Sequence, residues 1–190
     1  MKRIFLIGDS IRIGYDAYVR ELLPPEYRCY WSMDNARFCA YTLRYAHEWV
    51  RQDCDPETID LVHWNNGLWD ILHLFGDEAQ TSPEEYRTGV RRIARRLKYL
   101  MPNARIAFAL TTSVVEEKYR AEFCRGNAEI EQYNAIAMDA LKDENVLFDD
   151  LYTVSRRMTP DMRAEDGTHF AESGYRALAE AVSDFIVRNL

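Results

Sequence analysis

Several common signatures are missing from this 190-residue chain. Its four cysteines, Cys29, Cys39, Cys54 and Cys124, form no CxxC pair and fall at no metal-ligand spacing, so they read as free thiols of a reducing compartment. His47-Glu48 lacks the second histidine of an HExxH helix, and His63 falls inside an apolar run, so no metal is implied. Neither GxGxxG nor GxxxxGK(S/T) occurs, which argues against a phosphate-cradling loop. Positive charge is not in excess: the formal net charge is −7, whereas nucleic acid requires a concentrated positive field. The one basic run, "RRIARRLK" (91–98), sits inside a helical pattern and reads as a solvated face. No apolar stretch is long enough for a membrane span, and "MKRIFLIGDS" turns charged too soon for a secretory leader. The chain is therefore expected to be cytoplasmic, with no nucleic acid, membrane, metal or cofactor among its partners.

What remains is a hydrophobic content of 47% with 29% charged residues, ordinary for a globular protein and enough for one well-buried domain spanning 1–190. Short apolar runs alternate with helical patterns throughout. "RIFLIG" (3–8) is continuous, as a strand covered on both faces should be; 27–32, 59–67, 104–114 and 146–152 are the other strand candidates. Helices are expected over 16–23, 40–52, 82–101, 127–142 and 172–190. The third opens with a capping signature: Ser82 at the cap, Pro83 in first position and Glu85 closing the box. Five alternations with short connections predict an α/β fold: a five-stranded parallel sheet with helices on both faces, in three layers. Such a fold gathers its site at the carboxyl ends of the strands.

The residues at those ends carry chemistry. Gly8-Asp9-Ser10 follows the first strand, so Ser10 stands in a strand-to-helix turn with helix N–H groups nearby to receive an oxyanion. A cap for the first helix is the plainer reading of Asp9 or Ser10. Near the other end, "EDGTHFAESGY" (165–175) sets Asp166 and His169 three apart across a turn, spaced so that the carboxylate orients the imidazole while its other nitrogen acts as base. Asp70 and His73 share that spacing, but Ile71 and Leu72 between them read as an apolar helical turn rather than an open one. The order Ser…Asp…His also occurs in α/β-hydrolases, yet those carry GxSxG on an interior strand, and here Arg12 stands where the second glycine would be.

"IGDS" at one end and "DGTHFAESGY" at the other resemble the SGNH hydrolases, also called GDSL esterases and lipases, and the resemblance covers nearly the whole chain. It implies a flavodoxin-like sheet of order 2-1-3-4-5, with Ser10 as nucleophile, His169 as base and Asp166 as the orienting carboxylate. Two family blocks depart from the usual pattern. The loop after the second strand, "SMDNARF" (32–38), lacks the glycine that normally donates to the oxyanion; Asn35 could donate instead, with Arg37 close by. The third block reads Gly67-Leu68-Trp69-Asp70, so tryptophan replaces the usual asparagine, while Asn65 and Asn66 precede the glycine. The chain looks like a divergent branch carrying "ENCRF" and "NxGLHD" in these blocks. That makes Ser10, Asn35 and Asn65 the expected oxyanion donors, with the Trp69 indole a further possibility. Asn65 and Asn66 could instead serve only the backbone where the strand ends.

Arg12 and Tyr15 follow the nucleophile closely, and Arg12, Arg37, Asn66 and Trp69 are the candidate substrate-binding residues. Trp64, on a buried strand, reads as core; Thr111 and Thr112 read as pocket lining or ordinary strand-end hydroxyls. The expected partner is a small-molecule or saccharide ester, with acetyl on a polar alcohol preferred. Losing one oxyanion donor, worth about 2.7–4 kcal/mol, is tolerable for an ester and not for an amide. The alternatives are a lysophospholipase or thioesterase of the same family, or a binding domain whose oxyanion hole has decayed.

Overall fold

The apolar run at the amino end forms β1 (Lys2–Ile7), and Ile4, Phe5, Leu6 and Ile7 are buried completely, as a central strand roofed on both faces requires. The computed structural model describes residues 1–52 and 54–190. After β1 come α1 (Ser10–Leu22), β2 (Tyr27–Trp31), α2 (Cys39–Trp49), β3 (Leu61–Trp64) and the two-residue β4 (His73–Leu74). There follow α3 (Pro83–Leu100), β5 (Arg105–Ala109), the short β6 (Phe123–Cys124), α4 (Asn127–Leu141), β7 (Val146–Asp149), α5 (Leu151–Arg156) and α6 (Glu172–Asn189).

The large sheet is parallel throughout, in the order β2-β1-β3-β5-β7. Counting only its own strands, that is the expected order 2-1-3-4-5. One helical layer packs α1 and α5 against α6, and the other packs α3 between α2 and α4. Gly14 lets α1 and α6 meet: a Cβ there would lie 2.1 Å from the Tyr175 ring. The Ser82 box forms as read, with Ser82 Oγ accepting from the Glu85 amide while the Glu85 carboxylate accepts from the Ser82 amide. Trp64 is core, its ring edge-on to Phe108 at 4.7 Å. His63 is also sealed in the core, its Nε2 2.9 Å from Asp149 Oδ2. Among the described residues, no helix is long and apolar enough to cross a membrane, and no group of three or more acidic, histidine or cysteine side chains is arranged to hold a metal.

Among the boundaries that differ from the sequence reading, four have a clear local reason, while the second helix ends at Trp49 rather than at 52 and the third strand starts at Leu61 rather than at 59. The first helix starts at Ser10, not at residue 16, because Asp9 Oδ1 caps it by accepting from the Ile11 amide at 3.0 Å. β3 stops at Trp64, three residues short of the apolar-looking run, and Asn65 to Gly67 turn away as loop. β5 stops at Ala109, and the apolar run beyond it leaves the ladder. There Thr111, Ser113 and Val114 donate their amides to the side chains of Asn134, Ser155 and Asn127 instead. β7 stops at Asp149 because Asp150 accepts from Thr153 N and opens α5. The β4–β6 pair carries too few residues for any periodic signal.

Candidate active site

The strand ends are in register: Leu6 lies beside Trp31, Ile7 beside Trp64, and Ala109 beside Asp149. The turns after β1, β3, β5 and β7 therefore open at one edge of the sheet. At β1 the chain must bend sharply past its neighbour. A Cβ on Gly8 would fall 1.9 Å from Asn65 Oδ1 and 2.6 Å from the Arg12 Cβ, so only glycine fits. With Asp9 as the cap, Ser10 is the first helical residue, whose amide has no partner within the helix. Asp9 is fully buried. Burial pushes its carboxyl above the ordinary range, and the Asn65 side chain, the Ile11 amide, Arg125 and Arg12 each pull it part of the way back.

The second half of the site is built by the turn before α6. Gly167 adopts φ +78°, and a Cβ there would lie 2.8 Å from the Val115 carbonyl. This turn folds the chain back so that Asp166 Oδ1 accepts from the Thr168 and His169 amides, both at 2.9 Å. Asp166 Oδ2 lies 2.5 Å from His169 Nδ1, and His169 Nε2 lies 2.7 Å from Ser10 Oγ, across 159 residues of chain. Partial burial pushes the Asp166 carboxyl up, but the His169 ring and the two amides outweigh it and hold it below the usual range. An ionised Asp166 accepts from Nδ1–H, which fixes the tautomer and leaves Nε2 as acceptor for the Ser10 hydroxyl. The ring is about one-third exposed, with a side-chain exposure of 36%, so the site opens directly to solvent.

The remaining candidates fare unequally. Asn65 reaches the Gly8–Asp9 turn, as above. Asn35 is half-buried; its Oδ1 accepts from the Arg37 amide at 2.9 Å, which leaves its NH2 group as the donor. Trp69 is half-buried in the same loop as Asn65. Arg12 is not a substrate residue. It is 1% exposed, and its guanidinium is spent on Asp16 Oδ2, Ser32 Oγ and the Asp34 carbonyl, clamping the β2 loop onto α1. Helix geometry explains the correction: with the helix starting at Ser10, position 12 turns inward rather than toward the mouth. Asn66 is likewise withdrawn. It is fully buried, donating to the Arg37 carbonyl at 2.8 Å and to Thr42 Oγ1 at 2.9 Å. Arg37 itself is exposed, stacked over the Tyr41 ring at 4.7 Å.

Asp70 and His73 do not pair with each other. Asp70 is buried and accepts from the Cys39 amide at 2.9 Å, capping α2 from 31 residues away, while His73 Nε2 meets Glu129. Tyr15, Asn65 and Thr112 each carry a buried oxygen without a partner, and all three line a cavity of about 10 Å³, room for roughly one water. A much larger cavity, about 900 Å³, lies between α2 and α3, lined by Leu43, His47, Thr88 and Arg92, and borrows nothing from Ser10 or His169. The residue that sequence reasoning missed is Arg125. It is buried beside the site, its Nε donating to the Leu68 carbonyl and its terminal nitrogen lying 3.5 Å from Thr168 Oγ1. Those partners are 57 and 43 residues away, so nothing near Arg125 in the chain announces them.

Residues 6–177 match the GDSL-like Lipase/Acylhydrolase family. Among curated proteins none matches the chain. Solved structures do. A lipase/acylhydrolase from Enterococcus faecalis is similar at 18% identity and a TM-score of 0.76, covering 98% of this chain and 95% of that one. The acetyl xylan esterase AlAXEase is similar at 15% identity and 0.72, over 97% and 99% of the two chains. TesA is similar at 16% identity and 0.74, over 100% of both. At such identities the likeness speaks to the fold.

Proposed function

This chain belongs to the GDSL-like Lipase/Acylhydrolase family and is an ester-bond hydrolase, and we propose that it cleaves short-chain, chiefly acetyl, esters of carbohydrates or similar polar alcohols through Ser10, His169 and Asp166. The observation that carries the reading is the continuous chain of contacts from Asp166 through His169 to Ser10 Oγ. Ser10 Oγ attacks the acyl carbon while His169 Nε2 takes its proton, and Asp166 steadies the imidazolium that forms. The oxyanion is received by the Ser10 amide and by the side-chain amide of Asn65, with Asn35 as the further donor. His169 then returns the proton to the departing alcohol, and water, deprotonated in turn by His169, releases the acyl group.

One feature supports a small acyl group on a polar alcohol: the His169 and Asp166 side chains are 36% and 53% exposed, an open rim rather than a deep apolar slot. A series of p-nitrophenyl esters from acetate to dodecanoate tests it: kcat/KM is expected to be highest for acetate and to fall with chain length. A rise toward long chains would replace this reading with a lysophospholipase or thioesterase, and no turnover at any length with a binding domain.

A further inference from the structure

Two arginines among the described residues are almost wholly buried, Arg12 at 1% and Arg125 at 5% exposure. Arg12 has its counter-ion, Asp16, at 2.8 Å. Arg125 makes no ion pair among the described residues; its neighbours are the Leu68 carbonyl, Thr168 Oγ1 and the Phe123 ring, whose centroid is 5.0 Å away. A buried cation without a carboxylate partner is costly, and a fold tolerates one where the charge is used. Its position says by what. Leu68 belongs to the loop that carries Asn65, and Thr168 immediately precedes His169, so the guanidinium is wedged between the two loops that flank Ser10. Tyr119 closes the same cluster, its hydroxyl 2.8 Å from Thr168 Oγ1. The positive field reaches the Asp9 carboxyl, the residue next to Ser10, which it pulls downward against the effect of burial.

We propose that Arg125 is a positioning residue for the Ser10 reaction: it braces the Asn65 loop against the His169 turn, and its positive charge favours the oxyanion formed at Ser10. The proposal rests on the reading of Ser10 as nucleophile. A ground-state ester carbonyl carries little charge and a tetrahedral oxyanion a full one. The field therefore acts on turnover and hardly on binding.

The test compares full-length wild type, Arg125→Met and Arg125→Lys with p-nitrophenyl acetate, folding being checked by circular dichroism. In the Met variant kcat is expected to fall roughly tenfold to a hundredfold, less than for loss of a direct oxyanion donor, with KM within about twofold. The Lys variant keeps the charge but not the planar fork, and is expected to recover most of that loss. A folded Met variant with unchanged kcat overturns the proposal, as does a loss confined to KM, or a Lys variant no better than Met. Should the Met variant not fold, the Lys variant decides alone: kcat within about fivefold of wild type supports the proposal, and a larger loss overturns it. Wild type that neither turns over nor reacts with a fluorophosphonate overturns the esterase reading and this proposal together, whereas active wild type with an indifferent Met variant overturns this one only.

Discussion

Replacing Asp70 with asparagine should change how stability depends on pH, and the size of the change follows from the burial of one carboxyl. Asp70 is fully buried, and desolvation raises it from 3.8 to about 6 despite the hydrogen bond from the Cys39 amide. The native state therefore holds a proton that the unfolded chain has released between about pH 4 and pH 6. Over that window stability falls as pH rises, and above pH 6 the cost is complete. A shift of about two units at 1.36 kcal/mol each makes the cost about 3 kcal/mol. Asp70→Asn removes the charge and keeps an oxygen for the Cys39 amide, so α2 stays capped. Its new NH2 group takes the place of Asp70 Oδ2, which has no partner, and that adds a penalty of about 1–3 kcal/mol that does not vary with pH. Urea unfolding of both proteins at pH 4 and pH 8 isolates the variable part. The variant's stability relative to wild type should rise by about 3 kcal/mol from the lower pH to the higher. A relative stability that stays flat between the two, or falls, would mean that Asp70 does not carry a raised proton affinity in the native state.

The other expectations concern the surroundings of Ser10. Asn65→Ala should lower kcat for an aryl acetate about 100- to 1,000-fold with little change in KM, and Asn35→Ala run beside it ranks the two candidate donors; an Asn65→Ala variant at wild-type kcat removes Asn65 from the oxyanion site. Gly8→Ala must push the new methyl into Asn65 Oδ1 and the Arg12 side chain, so it should lose both stability and kcat in thermal melts and turnover assays; a variant indistinguishable from wild type would mean the turn is looser than described.

Much of the scaffold could be read from local pattern, because its signals are local. The unbroken apolar run of β1 and the Ser82-Pro83-Glu85 cap of α3 need only neighbours in sequence to form. Asp166 and His169 were legible for the same reason: a carboxylate and an imidazole three apart, across a glycine turn, can bond whatever surrounds them. Arg12 was misread because its meaning depends on where the helix begins, and the Asp9 cap that decides this is a choice between two plausible side chains. Asn66 stands next to Asn65 in sequence, yet one is locked onto Arg37 and Thr42 while the other meets Gly8. They lie just beyond the end of β3, where the loop and not a regular pattern decides which way each side chain points. Arg125 left no local trace at all, since its partners arrive from the loop after β3 and the turn before α6.

The central claim is that His169 activates Ser10. Its most direct measurement is mass spectrometry of the chain after treatment with a fluorophosphonate, for wild type and for His169→Ala. One adduct per wild-type chain is expected, on the peptide bearing Ser10, with labelling slowed by at least about 1,000-fold in the variant. No adduct on Ser10, or equal rates of labelling in the two proteins, would contradict it.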